Sequence, residues 1–348
     1  MARAELLSAA DPGCDRDWLL EVSGGDPHFF PEYLSAYESI VGRPMVFVYS
    51  SALGRVQELM LVRALPASLS IAGADAISGY PFGGPIARPD SSALYAAADQ
   101  ALAGVAGECG IVSMFRRYHP LRPVPATAIS AAGLVRRDCY GIDLTSAEDL
   151  RFVRLSGARR RNVATARQSG VTIARTPFTP ADVPAFSKMY LDTMDRRLAG
   201  ESYRRLAGPF LVELCRAMPA NLSLIQARVD GVTVAAAVFI ESPLASYYFL
   251  GEWDDAFSPV RPNDLLFWEA SCSAAARGAQ WLVLGGGVRS GDGLARYKAS
   301  FGATVLPWAV TGMTFLPDAF DRLVAAPAAQ GEASDNGGYF PRYRSHER

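Results

Sequence analysis

Residues 282–302 read LVLGGGVRSGDGLARYKASFG, and the fold prediction starts from this stretch. Its apolar beginning predicts a buried strand, and the three glycines at 285–287 predict a turn after that strand. Residues 292–302 predict a short helix. The glycines are not a dinucleotide-binding fingerprint, because the helix that follows them is too short for that fold.

The rest of the second half predicts strands and helices in alternation around this stretch. Strands are predicted at 139–144, 171–175, 221–231, 232–242, 246–253, 280–286 and 305–315, and helices at 146–170, 180–197, 208–218 and 262–278. A capping box from Ser146 to Asp149 opens the first of these helices. The turn at Asp230 and Gly231 predicts a tight hairpin between two of the strands.

The first half repeats this order more weakly. A helix is predicted at 30–42, a hairpin of strands 45–50 and 56–66 with its turn at 52–54, a helix at 91–110 and a strand at 111–120. The proline- and alanine-rich segment 123–133 is the best linker candidate. We therefore predict a mixed α/β (α+β) chain with lobes at 1–130 and 131–326 and a flexible tail at 327–348.

Length and composition agree with two globular lobes. The chain has 348 residues, half of them hydrophobic and a fifth charged, and its formal net charge is -1. Overall attraction to nucleic acid or to anionic lipid is therefore not expected. Five widely spaced cysteines indicate reduced thiols, and three histidines argue against a zinc site. No apolar run reaches the ~18 residues of a membrane span, so we expect a cytoplasmic protein without an integral membrane segment.

Several strings of the sequence resemble one family when they are taken in order. LVLGGGVRSGDGLARYKASFG, RRNVATARQSGV, MYLDTMDRR and YYFLGEW resemble the second lobe of the Fem-type peptidoglycan aminoacyltransferases. SGYPFGGP and FRRYHPL resemble the matching first lobe, so the resemblance covers most of the chain. It implies two tandem lobes of the acetyltransferase fold usually called GNAT. Each lobe would be a mixed twisted sheet flanked by helices, with a cleft between or within the lobes.

The resemblance also implies a reaction, in which an amine of an acceptor attacks the ester carbonyl of an aminoacyl-tRNA and forms an amide. The implied partners are the acceptor end of an aminoacyl-tRNA and a small peptide-like or lipid-linked precursor, and no cofactor is implied. Acyl-CoA is the alternative donor. Enzymes of this fold that use acyl-CoA usually carry a glycine-containing turn after the fourth strand, which cradles the pyrophosphate. The corresponding segment 252–267 has no glycine, which favours aminoacyl-tRNA.

Lys298 is the first candidate for catalysis, because it matches the lysine of the family's aromatic-lysine pair and Tyr297 takes the aromatic place. A fixed cation beside the carbonyl oxygen stabilises the negative charge that develops there, an effect of ~3–4 kcal/mol. The alternative is a solvated lysine on a surface helix. Asp292 is a candidate for positioning the acceptor amine or accepting its proton, although Asp-Gly before a helix is also an ordinary N-cap.

Arginines supply the candidates for phosphate binding. Arg159, Arg160 and Arg161 spread around the predicted helix at ~100° per residue, so one or two of them could clamp a diphosphate or tRNA phosphates. The alternative is a solvated helix face. Arg289, in the loop after the glycines, is a further candidate for a phosphate contact, or is solvated.

The remaining candidates concern the acceptor. Tyr80 with Gly83 and Gly84, and the segment from Arg116 to His119, match motifs that lie near the acceptor groove in compact members of the family. The glycines would let backbone approach a ligand, and Arg116 could pair with an acidic group. The alternative is a turn beside a strand end, with His119 packed. Four further residues could contact the acceptor or belong to the core: Tyr203, Tyr248, Trp253 and Asn263.

Two rival functions stand beside aminoacyl transfer, because the fold alone does not identify the donor. The first is an acyl-CoA-dependent N-acyltransferase, which predicts that acetyl-CoA binds and stabilises the protein. The second is a non-catalytic binding protein that holds a peptide or glycan. It predicts that neither donor binds and that replacing Lys298 has no effect.

Overall fold

The computed structural model describes residues 2–69, 71–129, 133–287, 290–326 and 340–347. The chain forms two compact units, and each is described by itself. Unit 1 consists of residues 1–136 and 308–348, and unit 2 consists of residues 137–307.

The elements follow one another along the chain. Up to the linker they are β1 (Arg3–Ser8), α1 (Arg16–Ser23), α2 (Pro31–Ser35), β2 (Arg43–Ser51), β3 (Gly54–Ala64), β4 (Ala74–Ile77), β5 (Ile86–Arg88), α3 (Ser92–Glu108), β6 (Ile111–Arg117) and α4 (Ala126–Ile129). They continue with β7 (Val135–Asp143), α5 (Glu148–Arg154), α6 (Gly157–Gln168), β8 (Thr172–Pro177), α7 (Val183–Arg196), α8 (Glu201–Arg204), α9 (Pro209–Ala217), β9 (Leu222–Val229), β10 (Val232–Glu241) and β11 (Ala245–Trp253). The last are α10 (Pro262–Ala276), β12 (Trp281–Gly285), α11 (Gly293–Ala299), β13 (Thr304–Thr314) and α12 (Pro317–Ala325).

The sheets of the two units have the same plan. In unit 1 the strands lie in the order β1-β2-β3-β4-β6-β13, with β5 paired to β3. In unit 2 the order is β8-β9-β10-β11-β12-β7. Within each order the fourth and fifth strands are parallel, and the other neighbours are antiparallel. A long helix connects the parallel pair in each unit, α3 in unit 1 and α10 in unit 2, as a parallel connection requires. The prediction of two GNAT-like lobes is confirmed.

Each unit has a core between its sheet and that long helix. In unit 1 the helix buries Leu94, Ala98 and Leu102 against strand residues such as Phe47 and Met114. In unit 2 the corresponding cluster joins residues of α6, α10 and α11 to the sheet. The short helix α11 is therefore part of the core of unit 2.

Both hairpins that the turn residues predict are present in the structure. The turn at 52–54 connects β2 and β3, with Ser51 opposite Gly54. Asp230 and Gly231 both have positive φ, at 50° and 81°, and join β9 to β10 with Val229 opposite Val232. Two residues with positive φ are the requirement of a type I′ turn, so these predictions are confirmed.

Other predictions of elements are wrong in detail. The long helix at 146–170 is two helices, α5 and α6, separated at Leu155 and Ser156. Ser156 caps α6 by accepting the N–H of Arg159, whereas Ala147 precedes α5 without a side-chain cap, so the capping box at Ser146 does not form. The linker segment contains α4, and its residues 130–132 lie outside the described residues. The prediction also lacks β1, β4 and β5.

The C-terminal part differs from the predicted domain plan. Residues 308–326, which the sequence assigns to the second lobe, belong to unit 1, because β13 pairs with β6. Residues 340–347 pack on unit 1 and are not a frayed tail, since Tyr343 and Arg344 are buried there. Residues 327–339 of the predicted tail lie outside the described residues. Among the helices of the described ranges, none combines the length and apolar character needed to cross a membrane.

Candidate active site

Two parallel strands of unit 2 part near their carboxyl ends. β11 and β12 are paired where residues 245–247 run beside residues 281–283. Beyond this pairing β11 continues to Trp253 and β12 to Gly285. Ligands of α/β folds bind outside the carboxyl ends of such strands, so this is the place to look for a site.

A β-bulge in β11 lies at the same point. Tyr248 is opposite Phe239 and Leu250 is opposite Val238, so Phe249 is an extra residue on β11. A bulge bends its strand and redirects the side chains next to it. The bulge therefore contributes to the divergence of β11 from β12 and sets the direction of the Tyr248 side chain.

Lys298 lies beside this divergence, on α11. Asp292 caps the helix by accepting the N–H of Ala295 at 2.7 Å. The Nζ of Lys298 donates to the carbonyl oxygen of Gly286 at 2.7 Å and lies 5.6 Å from the centre of the Tyr248 ring. Only 7% of Lys298 is exposed. The lysine is therefore a buried cation, and the alternative of a solvated surface residue does not describe it.

The environment of Lys298 makes its charge titratable near neutral pH. Burial lowers the pKa of Lys298 from 10.5 to about 8, while the charge of Asp292 acts in the opposite direction. Burial also raises the pKa of the Cys139 thiol to about 12, so that group stays protonated. At pH 7 Lys298 is mostly an ammonium. One of its three N–H donors binds Gly286, and the others can meet a developing negative charge.

Lysine itself is rare in this chain. Two of the 34 Lys and Arg residues are lysines, and the other one, Lys188, is exposed on α7. An arginine keeps its proton even when it is buried, whereas a buried lysine can lose it. A lysine at position 298 therefore gives this site a positive charge that deprotonation can remove.

Glu252 is a second titratable group of β11, and the sequence analysis missed it. The residue is 1% exposed, and neither carboxylate oxygen has a hydrogen-bond partner in the described part of the chain. Burial raises the pKa of Glu252 to about 8, although the charge of Arg196 acts in the opposite direction. A carboxyl group with a pKa near the working pH is suited to accept a proton. The signal in the sequence is one acidic residue inside the apolar strand YYFLGEW.

Tyr297 and Arg159 form a contact on the other side of α11. The guanidinium carbon of Arg159 lies 4.8 Å from the centre of the Tyr297 ring. Arg159 also forms an ion pair with Asp264 of α10. Burial raises the pKa of Tyr297 well above its ordinary value, so its hydroxyl keeps its proton. Arg159 is thus engaged inside unit 2 by Asp264 and Tyr297.

The other two arginines of that clamp lie at the start of α6. Arg160 donates to the carbonyl oxygens of Val153 and Leu155. Arg161 is exposed. A Cβ at Gly157 would lie 3.3 Å from a guanidinium nitrogen of Arg161. The phosphate role of these arginines stays a prediction.

The predicted acceptor contacts of unit 2 lie in different surroundings. Tyr248 lies against Lys298, whereas Tyr203 on α8 is 45% exposed. Trp253 donates from its Nε1 to Asp255 at 2.6 Å and is covered by the guanidinium of Arg197. Asn263 lies half-buried in the first turn of α10. Arg289 lies outside the described residues.

The predicted ligand partner of Arg116 is supplied by the protein. In unit 1 the guanidinium of Arg116 is buried and pairs with Glu58 at 2.6 Å and with Asp99 at 2.9 Å. A buried guanidinium without partners would be very costly, so these acids are needed for folding. The expectation that Arg116 meets an acidic group of the acceptor is corrected accordingly.

The glycine motif of unit 1 packs against the end of β6. Gly84 has a φ of +92°, and a Cβ there would lie 3.2 Å from the carbonyl oxygen of Arg117. A Cβ at Gly83 would lie 3.3 Å from the Cβ of Ser78. Arg117 donates to the carbonyl oxygen of Ser78 at 2.8 Å and lies over the ring of Tyr80. The glycines therefore allow this turn to approach the strand closely.

His119 belongs to a buried cluster with Asp26 and His28. His119 Nε2 lies 3.4 Å from Asp26, and His28 Nδ1 lies 2.8 Å from Asp26. Among the described residues these three have ligand atoms close enough to share a metal ion. His119 Nδ1, however, accepts the N–H of Leu121, which leaves the proton of the neutral ring on the Nε2 that faces Asp26. The geometry is that of hydrogen-bonded packing, and burial lowers the pKa of His119.

The N-terminus of α10 has a proline at its first position and an acid in its first turn. Pro262 is the first residue of the helix and has no N–H. Asp264, in the first turn of the helix, is 5% exposed. The N–H groups of a helix N-terminus attract anions, and Asp264 brings a carboxyl group of the protein to this turn. Asn162 also donates to Asp264, at 3.2 Å. The carboxyl group of Asp264 is thus held by two side chains of α6.

Comparisons with known proteins agree with this geometry. Residues 154–299 match the family model described as acetyltransferase (GNAT) domain. The match contains Glu252 and Lys298 and ends at the last residue of α11. No curated protein sequence matches the chain significantly.

Solved structures share the fold over almost the whole chain. FemX has a TM-score of 0.71 at 11% identity, over 91% of this chain and 99% of FemX. The C-terminal domain (DUF2156) of a putative lysylphosphatidylglycerol synthetase from Agrobacterium fabrum has a TM-score of 0.57 at 15% identity, over 92% and 100%. A tandem GNAT protein from the clavulanic acid biosynthesis pathway has a TM-score of 0.52 at 13% identity, over 90% and 99%.

The fold, the diverging parallel strands and the family match define the class: the chain has the tandem form of the GNAT acyltransferase fold. Its fold is similar to that of FemX, so the resemblance to the Fem-type enzymes that the sequence predicts is confirmed at the level of the fold. Identities of 11–15% carry this conclusion for the fold. Donor and acceptor have to be argued from the site.

Proposed function

We propose that unit 2 forms amide bonds by transferring an aminoacyl group from aminoacyl-tRNA to an amine of a peptide-like or cell-wall precursor. The observation that carries this proposal is the buried ammonium of Lys298 at the diverging ends of β11 and β12. Such a cation is costly to bury, and a fold retains it where a negative charge has to be stabilised.

The reaction needs two functions from the protein: stabilisation of an oxyanion and acceptance of a proton. The amine nitrogen attacks the ester carbonyl carbon, and the carbonyl oxygen becomes an oxyanion that the Lys298 ammonium stabilises. The ester C–O bond then breaks, and the ribose hydroxyl leaves with a proton. The amine nitrogen must lose one proton, and the ionised form of Glu252 can accept it. Asp292 is less suited to this role, because its carboxylate caps α11.

The start of α10 supports aminoacyl-tRNA over acyl-CoA. Pro262 removes one N–H donor, and the carboxyl group of Asp264 would repel a diphosphate. An aminoacyl-tRNA does not need a diphosphate cradle at this helix, since its acyl group is esterified to the terminal ribose. Acyl-CoA remains the second candidate, because residues 154–299 match a family described as acetyltransferases.

Replacing Lys298 by methionine tests the proposal. Methionine keeps most of the buried volume and removes the charge, so the fold should persist. Loss of one oxyanion-stabilising donor is expected to lower kcat by about 10²–10³-fold. The measurement is single-turnover transfer of label from mixed radioactive aminoacyl-tRNAs to amine acceptors, scored as hydrolysis-resistant amide.

Lys188→Met is the matched control, because it removes the only other lysine from an exposed position on α7. It should transfer at the rate of the unaltered protein. Full transfer by folded Lys298→Met would contradict the proposal. Transfer from acetyl-CoA but not from aminoacyl-tRNA would favour the second candidate, and binding of neither donor would favour a non-catalytic protein.

A further inference from the structure

Arg159 lies where three helices of unit 2 meet. It belongs to α6, and its Nη1 donates to one carboxylate oxygen of Asp264 on α10. Asn162, one turn further along α6, donates to the other carboxylate oxygen. Burial raises the pKa of Asp264, while Arg159 and Asn162 act in the opposite direction and favour the ionised form. α6 and α10 are thus joined by a buried, charge-assisted contact.

The same guanidinium covers two rings that hold α11 in place. Its central carbon lies 4.8 Å from the centre of the Tyr297 ring and 5.9 Å from that of Phe301. The two rings meet edge to face at 5.2 Å. Phe267 of α10 contacts both of them, and it also contacts Tyr248 at 5.0 Å. A continuous group of packed side chains therefore runs from Arg159 to the ring beneath Lys298.

α11 depends on such contacts for its position. The helix has seven residues, which is too few for an isolated helix to be stable in water. Asp292 caps its first turn, and Tyr297 and Phe301 fix its last turn. Lys298 follows Tyr297 directly, so its Nζ can stay against the Gly286 carbonyl while the Tyr297 ring is held.

We infer that Arg159 is a positioning residue for Lys298, acting through Tyr297 and anchored by Asp264, rather than a ligand for substrate phosphate. This inference rests on the proposed role of Lys298 in transfer. It can nevertheless be tested apart from the transfer activity, because it concerns the position of Lys298 and the extent of its desolvation. Loss of Arg159 loosens α11, admits water to Lys298 and brings the pKa of that lysine back towards the ordinary value.

The presence of two lysines in the chain allows a direct test. In protein labelled with ¹³C at the lysine ε-carbon, NMR should show two side-chain resonances, and Lys188→Arg assigns them. The Lys298 resonance of the unaltered protein should titrate near pH 8, the value that its burial gives. In Arg159→Met and in Asp264→Asn the midpoint should rise by about 1 pH unit or more, a tenfold change in proton affinity. The Lys188 resonance serves as an internal standard.

Arg167→Met is the matched control, because it breaks an exposed ion pair between α6 and Glu269 of α10. Its Lys298 midpoint should not change. Arg159→Lys can keep the pair with Asp264 but cannot cover two rings with a flat group, so a smaller rise is expected. The added lysine gives a third resonance, which comparison with the spectrum of the unaltered protein identifies. The Lys298 resonance of this variant then decides the matter by the same criterion if Arg159→Met does not fold.

Activity separates the two possible roles of Arg159. A positioning residue lowers kcat with little change in the KM for the donor, whereas a phosphate ligand raises KM in a salt-dependent way. An unchanged Lys298 midpoint in folded Arg159→Met or Arg159→Lys would overturn the inference. A raised midpoint together with full transfer by Lys298→Met would leave the inference standing and remove the proposed function.

Discussion

Glu252 and Lys298 reach a pKa of about 8 from opposite directions. Burial disfavours the charged form of each group, which raises the pKa of an acid and lowers that of a base. Both side chains therefore change their charge in the same pH range. A protein keeps such groups buried at a cost in stability, and that cost can be measured.

Glu252→Gln should remove a loss of stability that develops as the pH rises from 4.5 to about 8. In the unfolded chain Glu252 ionises near 4.5, whereas in the folded protein it keeps its proton until about pH 8. Between these values the unfolded state binds fewer protons, so the free energy of unfolding falls as pH rises from 4.5 to 8. A tenfold difference in proton affinity between the folded and unfolded states corresponds to about 1.4 kcal/mol, so the loss amounts to several kcal/mol. Urea unfolding at pH 5 and at pH 8 measures it.

Glutamine has the shape of glutamic acid but does not ionise, so the variant should lose less stability between the two pH values. Glu213→Gln removes an exposed acid that pairs with Arg216, and it serves as the control. Equal pH dependence in Glu252→Gln and the unaltered protein would show that Glu252 ionises freely in the fold.

At this scale the sequence predicts residues whose role depends on local motifs. Lys298 can be selected as a candidate because its aromatic neighbour and the glycines before it form a recognisable string, and its role stays a prediction. The role of Arg116 is not, because its partner Glu58 lies on another strand and no short motif records that pairing. Glu252 escapes prediction as well, since an exposure of 1% depends on what packs over β11 and not on its neighbours in sequence.

The C-terminal segment acts as an element of unit 1, and its residues Arg342–Glu347 form a 3₁₀-helix. The Tyr343 ring is fully buried with Val112 and Leu323, and its hydroxyl lies 2.8 Å from that of Ser113. Arg344 pairs with Asp75 at 2.5 Å. These contacts attach residues 340–347 to the strands and to α12.

Tyr343→Ala should therefore destabilise unit 1 strongly. Truncation of a large buried aromatic side chain costs about 3–5 kcal/mol, through lost burial and the cavity that remains. Differential scanning calorimetry, or urea unfolding followed by fluorescence, measures the change. Tyr203→Ala, at a position that is 45% exposed, should cost much less. Equal effects of the two substitutions would show that the segment does not contribute to the core.

Elements are predictable where turns and periodicity are local. The β2–β3 and β9–β10 hairpins follow from their turn residues. The interruption between α5 and α6 does not, since both segments have helical composition and Ser156 can serve either inside a helix or as its cap. Its N–H donates to the carbonyl oxygen of Ser300, which is a tertiary contact that the sequence does not reveal.

At the scale of the whole molecule, the two units share one strand order but obtain their last strand differently. The closing strand of unit 2 is β7, which precedes the rest of that unit in sequence. The closing strand of unit 1 is the part of β13 from Trp308 onwards, which follows unit 2 in sequence. The prediction of two successive lobes could not include this arrangement, because β13 pairs with β6, a strand far from it in sequence, and no local pattern records that pairing.

Unit 2 is continuous in sequence, and a fragment of residues 137–307 should fold on its own. It contains its complete core cluster and all six strands of its sheet, apart from the first two residues of β7. A fragment of residues 1–136 should not fold cooperatively, because β6 lacks β13 and the cluster around Val112 lacks Leu323 and Tyr343. Thermal unfolding by near-ultraviolet circular dichroism compares the two. Cooperative unfolding of 1–136 alone would contradict the assignment of β13 to unit 1.

The position of β13 also determines when unit 1 can be completed during synthesis. β6 ends at Arg117, and its partner residues begin at Val310. At the usual elongation rate of about 5–20 residues per second, roughly 10–40 s separate the two on the ribosome. Throughout that interval the nascent chain carries an open strand edge that could pair with a neighbouring polypeptide. Binding by holdase chaperones, or a low level of expression that keeps the nascent chains dilute, would protect this edge from pairing with another polypeptide.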